Sequence, residues 1–218
     1  MEGTVKMNYF KILMAKNSGY CDEYPETLFA RATSDKLPSG YKRVKSLTMN
    51  NDCYYEIEDL YLKGSDTLKF SCSITATCNA LGSYSGSSSG PNYSVYASTS
   101  NVSYLRYGSN NYNSQFDADT RYDVTITPTG SFGMKYPTTW EEAEFTTSRP
   151  FCIGTTASAI TISAKMKGTF YGNIIVKDAD GLRFKGIPCV RESDDVAGYY
   201  DIVSETFYEP VGTSPTPA

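Results

Sequence analysis

Apolar and polar residues alternate along most of this chain. In TLKFSCSITATC, residues 67–78, Leu68, Phe70, Cys72, Ile74, Ala76 and Cys78 fall on one side of an extended backbone. Thr67, Lys69, Ser71, Ser73, Thr75 and Thr77 fall on the other. Such unbroken alternation predicts one strand with a single buried face. The rise along that strand would hold Cys72 and Cys78 about 20 Å apart, too far to pair with each other. The pattern repeats in NYSVYAS (92–98), VSYLRYG (102–108) and RYDVTIT (121–127). It returns across 159–178, where Ile160, Ile162, Ala164 and Met166 share a face. Asp178 to Gly181 then forms a turn signal leading into LRFKGI, a predicted hairpin. No stretch sustains a 3.6-residue period. The expected fold class is all-β, with many short strands in a sandwich or barrel.

Three segments fall outside this pattern. Residues 1–37 read as an extended arm, in which NYFKILM (8–14) is the one good strand candidate. A lone strand needs a sheet edge, so Tyr9, Phe10, Ile12 and Leu13 are expected to dock on this domain or on another chain. GSYSGSSSGPN (82–92) reads as a flexible loop. VGTSPTPA (211–218) reads as a loose end, with 214–218 as a flexible tail beyond a domain of 38–213.

Composition narrows the class. A chain of 218 residues can hold one sizeable domain with an arm, and 40% apolar residues can fill its core. Net charge is −4 without any basic block, which argues against nucleic-acid binding. No apolar window reaches the length of a membrane span, so membrane insertion is not expected. Glu2 and Lys11 interrupt what a secretory signal would need. The chain has no His, which removes the commonest general base and metal ligand. Six cysteines without a C-x-x-C pair argue against a zinc knuckle and for buried free thiols. No cofactor is expected.

Candidate chemistry is sparse. Glu56 and Glu58 in YYEIEDLYL (54–62) share a strand face, resembling part of the E-x-D-x-E strand of laminarinase-type glucanases. Asp59 points away and position 60 is Leu, so the pattern lacks its third carboxylate. Trp140, Glu141, Glu142 and Glu144 read as a charged face beside a buried ring. FDADTRYD (116–123), VKDADG (176–181) and RESDD (191–195) read as Asp-based turns rather than metal sites. The Tyr-, Ser-, Gly- and Asn-rich stretches 84–96 and 104–116 have the palette of adaptable recognition loops. Tyr84, Tyr93, Tyr107 and Tyr112 are the candidate glycan contacts. In IPCVRESDDVAGYYDIVSETFYEP (187–210), Arg191, Asp194 and Asp195 are expected in a turn fixed by an Arg–Asp pair. Cys189 has no base near it in sequence, and Tyr200, Val203 and Phe207 are expected to seal the sandwich.

The segments 40–57 and 170–213 carry a family resemblance. The second resembles a closing pattern I-P-C-x-R-x-S-D-x-x-x-G-x-Y-D-x-V-S-x-x-F-Y. Ile187, Pro188, Cys189, Arg191, Ser193, Asp194, Gly198, Tyr200, Asp201, Val203, Ser204, Phe207 and Tyr208 match it in order. The pattern belongs to concanavalin A-like, laminin-G-type jelly rolls of gut phage and prophage virion appendages. The opening departs from that family, with MNNDC (49–53) in place of T-G-x-Q. The resemblance implies a two-sheet antiparallel jelly-roll sandwich preceded by an extended N-terminal arm. It implies a non-enzymatic head- or tail-fibre-type structural protein in the virion, assembled in the host cytoplasm. Capsid or tail proteins are then the expected partners, in a homo-oligomer that we take as a trimer. The alternative is a receptor-recognition protein or bacterial surface adhesin whose ligand is a host surface glycan.

Overall fold

The computed structural model describes residues 35–87, 90–100, 102–130, 139–156 and 165–218. Tyr9, Phe10, Ile12 and Leu13 of the expected docking arm lie outside these residues, as do Ile160, Ile162 and Ala164. In chain order the strands are β1 (Tyr41–Arg43), β2 (Ser46–Asn50), β3 (Cys53–Ile57), β4 (Thr67–Ile74), β5 (Cys78–Ser83) and β6 (Asn92–Ala97). Then follow β7 (Ser103–Gly108), β8 (Asn110–Ser114), β9 (Tyr122–Ile126), β10 (Phe151–Ile153) and β11 (Lys167–Lys177). The last are β12 (Leu182–Arg191), β13 (Val196–Asp201), β14 (Thr206–Tyr208), β15 (Val211–Gly212) and β16 (Thr216–Pro217). No described residue is helical.

The strands form two antiparallel sheets, of nine and seven strands. One follows β14-β13-β12-β11-β2-β16, with β1 on β12 and β4 between β11 and β9. The other runs β15-β3-β10-β5-β6-β7-β8. They pack face to face as a jelly-roll-like sandwich, because each carries one apolar face that has to leave water. Tyr55 of β3 meets Tyr199 of β13 edge-on at 5.1 Å between ring centres, and Phe151 of β10 meets Phe184 of β12 at 6.0 Å. Leu37–Ala218 form one contact unit.

The long alternation at 67–78 proves to be two strands. β4 belongs to the nine-stranded sheet and β5 to the seven-stranded one. Between them Thr75 turns the chain, its N–H and hydroxyl both donating to the Lys167 carbonyl at 2.9 and 3.1 Å. Alternation survives the corner because Cys72 and Cys78 face the same core from opposite sheets. An extended 20 Å spacing therefore does not apply. Burial, and then the nearby Cys78, push the Cys72 thiol up.

Cys53, Cys72, Cys78, Cys152 and Cys189 are buried thiols in no disulfide, as the composition suggested. Burial pushes the Cys53, Cys78 and Cys189 thiols up to about 11. The thiolate is the reacting form. All five should resist Ellman's reagent at pH 8 in the native protein and label in urea. Labelling of Cys189 without denaturant, mapped by mass spectrometry, would show that its strand is not packed as described.

The closing segment is a frame of turns. Arg191 donates Nε and Nη2 to the two Asp194 carboxylate oxygens at 3.0 and 2.5 Å, and Nη1 to Glu209 at 2.6 Å. This pairing holds the Asp194 carboxyl below the usual carboxylate range. Asp195 takes a left-handed φ of 58° in the same turn. Asp201, 2% exposed, accepts from the Lys185 and Val203 N–H groups and from the Ser204 N–H and hydroxyl. Gly198 leaves no room for a side chain, since a Cβ there would lie 2.4 Å from the Tyr208 carbonyl oxygen.

Two expectations for this end are corrected. Tyr199, not Tyr200, faces the core, while Tyr200 packs outside against Tyr41 and Val203 is 43% exposed. Ala197 and Tyr199 share the core face of β13, so Tyr200 and its cross-strand partner Phe207 fall on the other, where both rings pack on Tyr41. Nor is the 214–218 segment loose. β15 pairs with β3 of one sheet and β16 with β2 of the other, so residues 211–218 strap the two sheets together. Lys45 and Ser46 donate their N–H groups to the Ala218 carbonyl oxygen. Pro and small polar residues are compatible with a short edge strand, which composition alone does not distinguish from a coil.

Candidate functional site

The cross-strand registers of the seven-stranded sheet decide which Tyr residues meet solvent. Val95 of β6 and Leu105 of β7 are opposite one another in the core. Period two then sends Tyr93 and Tyr107 inward with them. Tyr93 is 0% and Tyr107 1% exposed. The Tyr93 hydroxyl donates to the Asp66 carbonyl oxygen at 3.0 Å. The Tyr107 hydroxyl reaches the Gly64 and Pro128 carbonyl oxygens at 2.7 and 3.2 Å. These rings are core members and present no glycan-stacking face, which corrects their assignment as contacts. Tyr112 is half-buried, its ring 5.2 Å from Trp140. Of the four candidates, Tyr84 alone joins the outer face.

That outer face is built from residues of the opposite parity. One cross-strand row runs Glu56, Cys152, Gly82, Ser94, Arg106, Asn111. The next runs Asn79, Tyr96, Tyr104, Asn113. Tyr96 and Tyr104 stack at 4.6 Å with 19° between their planes. The Arg106 guanidinium carbon lies 4.8 Å from the Tyr104 ring centre and 4.1 Å from that of Tyr84. Arg106 Nη2 also donates to the Tyr104 hydroxyl at 2.9 Å. A guanidinium between two π faces is held by its charge and by dispersion. The result is a half-buried Tyr–Arg–Tyr stack extended by a further Tyr and bordered by Asn side chains.

The sequence held the signal for Tyr96, Tyr104 and Arg106. In NYSVYA and SYLRYG the apolar Val95, Ala97 and Leu105 mark the inward parity, which leaves these three outside. Loop composition carries no such parity, so it does not separate Tyr84 from Tyr93, Tyr107 and Tyr112, which face inward.

A cleft of about 640 Å³ lies at the β7–β8 end, lined among others by Pro91, Asn110, Tyr112, Glu141, Glu142 and Glu144. The Glu residues are exposed beside Trp140, which is 6% exposed, as the sequence suggested. Glu56 is half-buried on the outer face of β3, while Glu58 and Asp59 are exposed just after the strand ends. In the hairpin turn, Asp178 Oδ1 accepts the Asp180 and Gly181 N–H groups, which accounts for that DADG stretch as a turn. Among the described residues no three His, Cys, Asp or Glu side chains are grouped to hold a metal ion.

No family model matches this chain, and neither a curated protein nor a solved structure matches it.

Proposed function

We propose that this chain is a non-enzymatic structural protein of a bacteriophage virion appendage, whose sandwich displays a glycan-recognition face. The observation that carries the recognition role is the Tyr84, Arg106, Tyr104, Tyr96 stack on the outer face of the seven-stranded sheet. Aromatic rings fixed by neighbours offer apolar area to the C–H faces of a sugar at little entropic cost. The flanking Asn side chains supply donors and acceptors suited to hydroxyl groups. The virion setting rests on the resemblance of 170–213. In that segment Gly198 makes room for β14 while Asp201 and Ser204 shape a turn, so the matched residues support a scaffold and name no ligand. A homo-oligomer joined to capsid or tail proteins, with host-surface glycan as its target, belongs to the same proposal.

A glycan array probed with the purified chain and with Tyr104→Ala tests the recognition role. The wild type should bind a restricted set of polysaccharide fragments, and the variant should lose about tenfold or more in affinity. An array on which the folded wild type binds nothing would remove the recognition role.

A further inference from the structure

Arg106 differs from the other well-placed arginines of this sandwich. Arg183 pairs with Asp66, Arg191 with Asp194 and Glu209, and Arg121 with Asp123. Among the described residues no carboxylate pairs with Arg106. Its charge is half-buried between Tyr84 and Tyr104, and one hydroxyl, that of Tyr104, accepts from Nη2. Nη1 is enclosed with no acceptor. Ser94, directly across the strand pair, has an enclosed hydroxyl that is also without a partner. A cation removed from water without a counter-charge is unfavourable, and the two rings offset only part of that.

Tyr84 lies just beyond the end of β5, at the start of the Ser- and Gly-rich connection to β6. Its hydroxyl has no hydrogen-bond partner among the described residues. It can therefore swing aside without breaking a hydrogen bond. Its ring centre lies 4.1 Å from the Arg106 guanidinium carbon, so such a movement uncovers that face of the guanidinium.

We infer that this face selects an anionic saccharide, with the carboxylate of a uronic or sialic acid residue paired to Arg106. The sugar ring takes the place of Tyr84 or packs beside it on Tyr104 and Tyr96. This rests on the glycan reading above and adds the ligand's charge. A carboxylate supplies the counter-charge and accepts hydrogen bonds from the guanidinium, while the Ser94 hydroxyl serves a neighbouring oxygen. Asn111, next to Arg106 in its row, and Asn113, next to Tyr104, fit the uncharged hydroxyls around it.

The test uses the full chain and isothermal titration with oligogalacturonides and sialylated oligosaccharides, each beside its neutral methyl ester. Phosphorylated oligosaccharides form a third arm. Free acids should bind about tenfold or more tightly than their esters, the difference expected of one charge-assisted pair. That preference should shrink as salt rises and disappear in Arg106→Gln. Equal binding of acid and ester would overturn the inference while leaving a glycan-binding face. Preference for the phosphorylated arm would overturn the carboxylate assignment. Binding of none of the saccharides would instead overturn the glycan reading itself. The acid–ester comparison on the wild type needs no variant, so it stands even if Arg106→Gln fails to fold.

Discussion

Arg183→Met is expected to destabilise the sandwich by about 3–5 kcal/mol, read as a lower urea midpoint with an unchanged slope. Asp66 lies between β3 and β4 and is 0% exposed. Its Oδ2 accepts from the Lys63 N–H at 2.7 Å and from Arg183 Nη1, while Oδ1 has no partner. Arg183, from β12, also donates to the Tyr61 carbonyl oxygen at 2.9 Å. Removing the guanidinium leaves a buried carboxylate with one hydrogen bond, and such an uncompensated charge is among the larger single penalties in a fold. The double variant Asp66→Asn/Arg183→Met should recover much of the loss, because the buried charge leaves with its partner. If Arg183→Met is no less stable than the wild type, Asp66 is not buried as described.

The same site sets a pH dependence. Burial raises the Asp66 carboxyl above its usual range, outweighing the Lys63 and Arg183 hydrogen bonds that lower it. A folded-state pKa above the unfolded one means that the folded protein binds the proton more tightly. This contribution is greatest below the unfolded value, falls as pH rises through the raised value, and then levels off. Asp66→Asn should remove that component, and Arg183→Met should enlarge it, by withdrawing a group that lowers the pKa.

Phe170→Ala is the second large effect, a loss of about 3–5 kcal/mol in the same urea measurement. Phe170 is 0% exposed in β11, with Leu47 of β2 on one side and Cys72 of β4 on the other. Its ring meets Phe70 edge-on at 6.3 Å. Close packing on both flanks leaves the cavity little room to collapse. Tyr171, one residue on, points to the other face, under Arg121 at 4.7 Å and bonded to the Ser73 hydroxyl. Tyr171→Ala should cost about 1 kcal/mol. Equal losses at the two positions would mean that the register of β11 is off by one residue, since a one-residue slip exchanges the two faces.

Both large effects depend on elements that sequence pattern revealed unequally. The alternation through Leu68, Phe70, Cys72 and Ile74 identified a strand and its buried face correctly. It did not show that the chain changes sheets after Ile74, because residues on both sides of the corner face one core. Asp66 gave no signal at all. It is an ordinary turn residue in sequence, and its partner Arg183 stands more than a hundred positions away. The Arg191–Asp194 pair was legible because its members are three residues apart in one turn.

The outer face of the seven-stranded sheet shows the same division. Local alternation determines that Tyr93 and Tyr107 point with Val95 and Leu105, and that Tyr96, Tyr104 and Arg106 point away. Side-chain direction in a strand follows from its neighbours alone. Which outward residues become neighbours is decided by register and sheet order. Tyr84 reaches Arg106 across strands, and that contact depends on β5, β6 and β7 lying side by side. The sequence by itself determined an all-β chain, its strand faces and its short-range turns. Tertiary structure alone decided the change of sheet at Thr75, the strap at 211–218, the burial of Asp66 and the packing of Tyr84 on Arg106. Each of those is a contact between distant residues, and no periodicity records which distant residues will meet.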